Sequence, residues 1–287
     1  MTQPYGEVIG DPVSQSKSPL IHRFWLERLG IEADYRATRV SADPDQLAEY
    51  FANRAADVHW RGCNVTMPLK QGVQPYLHSV EEPADTIGAV NTIYPACDRL
   101  LVGQNTDASG FLEPLRAVLG RSHYFRMARV IGTGGAARAI VHALAAEGFT
   151  IVLAGRDPAK ARALLDELAP VGEHYAVNLA HFADPTDFAF DDREGCLDLV
   201  VNASPLGMTG RPPLAFDLSH VPPGSIIYDI VTDPVRTPLL QVAEAAGFRI
   251  IDGLTMLIGQ AAQAFTLFFG QPPPREHDAE LRALLTR

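Results

Sequence analysis

Apolar positions in the first 120 residues recur with two alternating periods, one typical of strands and one typical of helices. A short strand is predicted over 5–10. The helix that follows has Ser18 as its cap, Pro19 in its first turn and Gly30 at its end. The other elements predicted here are strands over 35–40, 62–66, 89–94 and 100–105 and helices that begin at Pro44 and Gly110. This alternation of strands and helices predicts an α/β domain.

From residue 128 onward, strand and helix patterns alternate regularly. The predicted strands are 128–131, 150–153, 197–202, 225–230 and 249–251, with 175–179 as a candidate sixth, and the predicted helices are 135–147, 158–168 and 237–246. Short strands rich in β-branched residues that alternate with helices predict a parallel sheet covered by helices on both faces. After Gly253 only helices are predicted, over 254–269 and 276–285. A chain of 287 residues with this change of pattern is expected to form two domains.

A glycine turn joins the first strand and the first helix of this second part, in the sequence Gly132-Thr133-Gly134-Gly135-Ala136. Gly132 can adopt the positive φ of a tight turn, and Gly134 lets the backbone approach a ligand closely. The amides at the start of the following helix favour an anion such as a pyrophosphate. The turn therefore predicts a dinucleotide site, with a purely structural glycine turn as the alternative.

Composition and charge exclude several classes of function. The net charge of −10 and the lack of a Lys or Arg run argue against nucleic-acid binding. Three cysteines are too few for a disulfide framework or a Cys-x-x-Cys zinc site. The first residues lack the pattern of a signal peptide, and no apolar window approaches the roughly 18 residues of a membrane span. We expect a cytoplasmic protein that binds neither nucleic acid nor membrane.

The residues after the second strand of the second part bear on the choice of cofactor. Arg156 can bond a phosphate through its planar guanidinium, and Lys160 adds positive charge one helical turn later. Asp157 opposes a 2′-phosphate, although before Pro158 it is well placed to cap the next helix. We therefore favour NADP, with NAD or the use of both cofactors as alternatives.

A second group of polar residues lies at strand ends and turns, where packing does not require them. These residues are Ser16, Ser18, Asn64, Thr66, Lys70, Asn91, Asp107 and Gln260. Each one alone could be a helix cap, a turn residue or an exposed position. Together they supply hydroxyls, amides and a Lys–Asp combination, without a His or Cys cluster typical of metal sites. The set suits a small polyhydroxylated ligand and the transfer of one proton, and no metal is expected.

These residues occur within motifs that resemble those of the shikimate dehydrogenase family. The motifs are Ser16-x-Ser18-Pro19, Asn64-Val-Thr66-x-Pro68-x-Lys70, Ala89-Val-Asn91-Thr92, Asn105-Thr106-Asp107, Gly132-x-Gly134-Gly135-Ala136-x-Arg138, Asn202-Ala-Ser204-x-x-Gly207-Met208 and Asp252-Gly253-x-x-Met256-x-x-x-Gln260. The resemblance extends from about residue 5 to residue 270. Its motifs around Lys70 and Asp107 are more specific than the glycine turn.

The resemblance implies a fold, an activity and a catalytic pair. The fold is an N-terminal α/β substrate domain (1–106 and 253–287) and a Rossmann-like parallel-sheet NADP-binding domain (107–252), with a cleft between them. The activity is the reversible, NADP-dependent reduction of 3-dehydroshikimate to shikimate in the biosynthesis of chorismate and aromatic amino acids. Lys70 is the general acid and base, and Asp107 is its partner.

The resemblance also implies two sets of binding residues. The substrate set is Ser16, Ser18, Asn64, Thr66, Asn91, Asp107, Thr232 and Gln260. The cofactor set is Glu82, Gly132, Thr133, Gly134, Gly135, Ala136, Gly155, Arg156, Asp157, Lys160, Asn202, Ser204, Ile230, Gly253 and Met256. A small molecule is the expected partner, and the protein is expected to be a monomer or a homodimer.

Two departures from the family pattern leave alternatives open. Thr232 replaces a tyrosine of the family's Tyr-Asp-x-x-Tyr stretch, which leaves open the preference among shikimate, quinate and amino analogues. Gly155-Arg156-Asp157 replaces Asn-Arg-Thr, which weakens the prediction of NADP. The alternatives are a quinate or aminoshikimate dehydrogenase that uses NAD or both cofactors, and a non-catalytic NAD(P)-binding regulator.

Overall fold

The computed structural model describes residues 3–190 and 193–286. The chain divides into two compact units. The first unit comprises Met1–Asp107 and Ile258–Arg287, and the second comprises Ala108–Leu257. Within the described residues, no helix is both long enough and apolar enough to cross a membrane.

Helices and strands follow one another along the chain in two series. The elements up to residue 119 are β1 (Tyr5–Gly10), α1 (Ser18–Leu29), β2 (Asp34–Arg39), α2 (Pro44–Ala56), β3 (Trp60–Val65), β4 (Ser79–Val80), α3 (Ala84–Ile87), β5 (Thr92–Pro95), β6 (Leu101–Gln104), α4 (Asp107–Leu112) and α5 (Arg116–Leu119). The later elements are β7 (Phe125–Ile131), α6 (Gly135–Ala146), β8 (Thr150–Gly155), α7 (Pro158–Leu168), β9 (Tyr175–Asn178), α8 (Ala180–Ala183), β10 (Cys196–Asn202), β11 (Ile226–Asp229), α9 (Pro238–Ala245), β12 (Arg249–Ile251), α10 (Gly253–Phe269) and α11 (Asp278–Leu285).

The first unit is built on a mixed six-stranded sheet in the order β2-β1-β3-β5-β6-β4. Strand β1 pairs in parallel with β2 and β3, whereas β5 is antiparallel to both β3 and β6. Successive side chains of a strand point to opposite faces, so β1 contributes to two hydrophobic cores. Ile9 packs in one core with Leu47 and Phe51 of α2, and Val8 packs in the other with Phe268 of α10. The sheet is therefore buried on both faces.

The second unit contains a six-stranded sheet in which every pair of strands is parallel, in the order β12-β11-β10-β7-β8-β9. This is the strand order of doubly wound dinucleotide-binding folds. The order reverses between β7 and β10, and ligands of such folds bind at this point, beyond the carboxyl ends of the strands. The prediction of an α/β fold with a Rossmann-like parallel sheet is confirmed. The candidate strand over 175–179 is also present, as β9.

Two local predictions were wrong. Ser18 does not cap α1, because it is already the first helical residue, and its amide donates to Oγ of Ser16 at 3.3 Å. The helix predicted to begin at Gly110 begins at Asp107 instead, as α4. The side chain of Asn105 accepts the amide of Asp107 at 3.0 Å, and this bond turns the chain from β6 into the helix. Lys70 lies in a three-residue 3₁₀ turn, Leu69–Gln71.

An aromatic cluster around His22 fills part of the core of the first unit. The ring of His22 stacks on Tyr35 with 3.9 Å between centroids and meets Trp25 edge to face at 5.8 Å. His22 is fully buried, and neither ring nitrogen has a hydrogen-bond partner among the described residues. Burial disfavours the charged imidazolium and lowers the pKa of His22 from about 6.5 to about 3.

This buried histidine predicts a loss of stability in acid. Between pH 6.5 and pH 3 the unfolded chain binds a proton at His22 that the folded protein does not, so the free energy of unfolding falls as the pH falls. The loss in the free energy of unfolding that His22 causes reaches about 2 kcal/mol at pH 5. Urea denaturation at pH 7 and pH 5 should show this loss in the wild type and a smaller loss in His22→Phe. The same substitution at exposed His78 is the control and should leave the loss as in the wild type. A loss in His22→Phe equal to that of the wild type would contradict the prediction.

Candidate active site

The first unit brings Lys70 and Asp107 into direct contact. Nζ of Lys70 donates to Oδ2 of Asp107 at 2.5 Å. The side chains are only 15% and 7% exposed, respectively. Lys70 follows β3 and Asp107 follows β6, so residues 37 positions apart in the sequence meet because both strands belong to the same sheet. An amine held against a carboxylate in a mostly buried contact is a suitable arrangement for general acid–base chemistry.

Asn91 supports this pair from the segment that precedes β5. Its Nδ2 donates to Oδ1 of Asp107 at 2.9 Å and lies 3.4 Å from Oε1 of Gln260. Its Oδ1 accepts the backbone amide of Thr106 at 2.8 Å. Three of the predicted residues, Asn91, Asp107 and Gln260, are thus joined in one buried polar cluster.

Asn64 enters the same cluster from β3. Its Nδ2 donates to Oγ1 of Thr92 at 3.2 Å and lies 3.4 Å from the carbonyl oxygen of Asn91. Its Oδ1 accepts the hydroxyl of Tyr35 at 2.6 Å. Five predicted residues therefore lie in one network of buried polar groups and could hold several hydroxyls of a small ligand.

Four buried polar residues of this network were not selected as site residues from the sequence. They are Tyr35, Thr92, Asn105 and Thr106. Asn105 and Thr106 directly precede Asp107 in a motif that was quoted, so their position in the sequence was a usable signal. Tyr35 and Thr92 have the composition of ordinary core and strand residues, and only the pairing of strands shows their contacts.

The other predicted substrate residues are not joined to this network by hydrogen bonds within the described part of the chain. Oγ of Ser16 accepts the amide of Ser18, and the amide of Thr66 donates to the carbonyl of Ile9 at 2.9 Å. Thr232 lies in the second unit, where it is partly exposed.

In the second unit the glycine turn has the geometry that its sequence predicts. Gly132 has φ = +118°, and a Cβ there would lie 2.7 Å from the carbonyl oxygen of Ala203, so only glycine fits. Gly134 precedes the 12-residue helix α6, and a Cβ on it would meet no described atom within 4 Å apart from its chain neighbours. Because Gly134 has no side chain to cap the helix, the amides of Gly135 and Ala136 are available to an anion.

The residues after β8 combine two exposed cations with a helix cap. Arg156 and Lys160 are both exposed. Oδ1 of Asp157 accepts the amides of Ala159 at 2.9 Å and Lys160 at 3.4 Å, which confirms the predicted cap of α7. Gly155 packs closely against Thr133, with 3.0 Å between an ideal Cβ and Cγ2. A 2′-phosphate would find two cations and one anion here.

Asn202 and Ser204 form a tight turn after β10. Oδ1 of Asn202 accepts both the amide and the hydroxyl of Ser204, at 3.1 and 2.7 Å. Nδ2 of Asn202 donates to Oδ1 of Asp229 at 3.0 Å. Burial raises the pKa of Asp229. This hydrogen bonding fixes the loop that carries Ser204 beside the end of β11.

Gly253 is required by the close approach of another backbone segment. A Cβ on Gly253 would lie 2.4 Å from the carbonyl oxygens of both Ile230 and Val231, so a larger residue would displace that segment. Met256 is buried one turn along α10. Glu82, also predicted for the cofactor, lies in the first unit, where it is exposed and accepts the hydroxyl of Thr86 at 2.9 Å.

Comparison with known proteins places this chain in a family. Residues 8–93 match the family model of the shikimate dehydrogenase substrate binding domain, and residues 253–280 match that of the shikimate 5′-dehydrogenase C-terminal domain. The shikimate dehydrogenase (NADP⁺) of Sphingopyxis alaskensis is 50% identical in an alignment of 286 residues that covers 98% of this chain and 97% of that protein. The chain belongs to the shikimate dehydrogenase family. The resemblance inferred from the motifs is confirmed.

Solved structures of the family share the whole fold. Shikimate 5-dehydrogenase of Thermus thermophilus, in complex with NADP(H) and shikimate, is 33% identical with a TM-score of 0.81, and the match covers 99% of this chain and 100% of that one. Quinate dehydrogenase of Corynebacterium glutamicum, in complex with NAD, is 30% identical with a TM-score of 0.82, and the match covers 98% and 99%. The fold is therefore common to relatives with different substrates and cofactors.

Proposed function

We propose that this member of the shikimate dehydrogenase family is an oxidoreductase that reduces 3-dehydroshikimate to shikimate with NADPH, and catalyses the reverse reaction with NADP⁺. The observation that carries the proposal is the buried contact between Lys70 and Asp107, supported by Asn91. A protein that only bound the cofactor would have no use for a proton-transfer pair. The 50% identity with a shikimate dehydrogenase (NADP⁺) supports the choice of substrate and cofactor.

Lys70 supplies the proton in the proposed mechanism. NADPH, when bound, supplies a hydride to the carbonyl carbon. The ammonium of Lys70 gives its proton to the carbonyl oxygen, so that the ketone becomes an alcohol. In the reverse direction the neutral amine of Lys70 takes the proton from the hydroxyl. Asp107, whose Oδ2 lies 2.5 Å from Nζ, holds the amine in place.

The remaining residues of the network orient the substrate ring. Carboxamides offer both donors and acceptors, so Asn64, Asn91 and Gln260 can bond several ring hydroxyls at once. We assign Thr66 to a hydroxyl as well, and the hydroxyls of Ser16 and Ser18 to the substrate carboxylate. Thr232 is assigned to the substrate from the second unit. These assignments rest on the resemblance to the family and on the buried network around Asn91.

The residues of the second unit fit a dinucleotide. The open space beside Gly134 and the available amides at the start of α6 suit a pyrophosphate, which we assign to Gly132–Ala136. Arg156 and Lys160, next to Gly155 and Asp157, are assigned to the 2′-phosphate. The other proposed cofactor residues are Glu82, Asn202, Ser204, Ile230, Gly253 and Met256. A cytoplasmic location and a monomeric or homodimeric state remain predictions.

A quinate dehydrogenase that uses NAD is the second candidate. It is favoured by the shared fold with the quinate dehydrogenase of Corynebacterium glutamicum, solved with NAD, and by Asp157 beside the proposed 2′-phosphate site. Initial rates for shikimate and quinate, each with NADP⁺ and with NAD⁺, decide between the candidates. We expect the highest kcat/KM for shikimate with NADP⁺. A higher value for quinate with NAD⁺ would favour the second candidate, and no rate with any pair would favour a binding protein.

Replacing Lys70 tests its role in proton transfer. Lys70→Ala should lower kcat about 1,000-fold with little change in the KM for NADP⁺, because general acid–base catalysis contributes roughly 10²–10⁴-fold. Lys70→Arg keeps the positive charge beside Asp107 but is a poor proton donor, so it should retain more substrate affinity than Lys70→Ala while kcat stays low. Steady-state kinetics and the melting temperature of each variant give the comparison. Equal losses of turnover and cofactor affinity would contradict the proton-transfer role.

Replacements at Arg156 and Asp157 test the preference for NADP. Arg156→Ala should raise the KM for NADP⁺ about 10-fold and leave that for NAD⁺ unchanged, because only NADP⁺ carries the 2′-phosphate. Asp157→Ser keeps a capping oxygen but removes the charge, so it should lower the KM for NADP⁺ and change stability by less than about 0.5 kcal/mol. Arg249→Ala is the control, since exposed Arg249 begins a strand of the parallel sheet whereas Arg156 follows the end of one. A similar rise in the KM for NADP⁺ in Arg249→Ala would contradict the assignment of Arg156 to the 2′-phosphate.

A further inference from the structure

A row of hydrogen-bonded side chains runs from the aromatic core of the first unit to the Lys70–Asp107 pair. Its members, in order, are Tyr35, Asn64, Thr92, Asn91, Asp107 and Lys70. The successive distances are 2.6 Å, 3.2 Å, 3.0 Å, 2.9 Å and 2.5 Å. The mechanism proposed above uses the last three members and assigns Asn64 to the substrate. It gives no role to Tyr35 or Thr92.

Thr92 occupies the centre of the row because of the strand register. Strand β3 pairs with β5 so that Asn64 lies directly opposite Thr92, and Asn91 is the residue before β5. The hydroxyl of Thr92 accepts a hydrogen bond from Asn64 and donates one to Oδ1 of Asn91. The same hydroxyl lies 3.3 Å from Oγ1 of Thr106, but the shorter contact, at 3.0 Å, directs its single proton to Oδ1 of Asn91. Thr92 therefore links the two carboxamides. Thr92 is fully buried, and water has no access to replace it.

Two backbone groups give the row a fixed direction. The amide of Thr106 donates to Oδ1 of Asn91 at 2.8 Å, so the NH₂ group of Asn91 must face Asp107. The carbonyl of Asn91 lies 3.4 Å from Nδ2 of Asn64, so the NH₂ group of Asn64 must face β5 and its oxygen must face Tyr35. Backbone groups cannot exchange donor and acceptor roles. Every side chain from Tyr35 to Asn91 therefore donates toward Asp107.

Tyr35 closes the row at its inner end. Its ring is completely buried and stacks on His22, so the hydroxyl has little freedom to move. Burial raises the pKa of Tyr35 well above its ordinary value, and the phenol stays protonated as a donor to Asn64. The carboxamide of Asn64 is consequently held from both ends, by Tyr35 and by Thr92.

We propose that Thr92, with Tyr35 behind it, is a positioning residue for the reaction. Thr92 holds the carboxamides of Asn64 and Asn91 in the orientations in which they meet substrate and Asp107. Neither Thr92 nor Tyr35 needs to touch substrate. The inference rests on the proposed function, since it concerns the same catalytic pair. Without the Thr92 hydroxyl, two buried carboxamides would each lose a partner, and rotation of either one would move the groups that substrate must bond.

Variants of Thr92 test the proposal. Thr92→Val removes the hydroxyl at nearly constant shape and should raise the KM for shikimate about 10-fold and lower kcat, with an unchanged KM for NADP⁺. Thr92→Ser restores a hydroxyl and should return both constants to within about threefold of the wild type. Tyr35→Phe should change the KM for shikimate in the same direction by a smaller factor. In the double variant Thr92→Val/Tyr35→Phe, the KM for shikimate should rise by less than the product of the two separate factors, because both residues act on Asn64.

Tyr50→Phe is the matched control. Tyr50 is also a buried tyrosine of the first unit, and its hydroxyl donates to Oε1 of Glu7 at 2.7 Å, outside the row. The Tyr50→Phe variant should have a lower melting temperature than the wild type and an unchanged KM for shikimate. A wild-type KM and kcat in Thr92→Val, no rescue by Thr92→Ser, or an equal rise of KM in Tyr50→Phe would each overturn the positioning role. Failure of the proposed function is distinct, because the wild type itself would then have no rate with shikimate. Should quinate be the substrate, the same variants are compared with quinate.

Discussion

The ion pair of Lys70 and Asp107 is the interaction on which the network of buried polar groups around Asn91 depends. Two charges that are mostly removed from water are costly unless each is paired and hydrogen-bonded. Asp107 meets this condition by accepting from both Lys70 and Asn91 while its own amide bonds Asn105. The same bonds set the local fold, since the bond to Asn105 turns the chain into α4. Position, charge and chain direction at Asp107 are thus determined together.

The two units offer a ligand different kinds of polar group. The first uses buried side chains whose donors and acceptors are fixed by one another, as at Asn91 and Thr92. The second offers backbone amides at the start of α6. A side chain on Gly132 would collide with the carbonyl of Ala203, and Gly134 has no side chain that could cap the helix. Side-chain sites carry chemical identity in their residue types. A backbone site shows only as glycine in the sequence, which is why the motifs near Lys70 were more specific than the glycine turn.

The sequence predicted the second unit closely, because a parallel sheet buries short apolar strands between clear helix signals. Helix 158–168 was predicted to the residue, with Asp157 as its cap. The first unit was predicted less well, since β4 has only two residues and the antiparallel register of β3 and β5 leaves no signal in the local pattern. That register is what places Thr92 opposite Asn64. A buried threonine in a strand looks like any β-branched residue until its partner across the sheet is known, and the same holds for Tyr35 among the core aromatics.

The two departures from the family pattern belong to a different unit of the chain from the residues that we propose to transfer the proton. Thr232 and Asp157 belong to the second unit, whereas Lys70, Asp107 and the row of side chains that leads to them belong to the first. Asp157 also has a structural reason to be present, because its carboxylate caps α7. It still opposes a 2′-phosphate, but its charge is exposed and therefore screened by solvent and salt, while Arg156 can form two hydrogen bonds to one phosphate. Short-range bidentate bonding outweighs a screened repulsion, and so a helix cap at Asp157 is compatible with a preference for NADP.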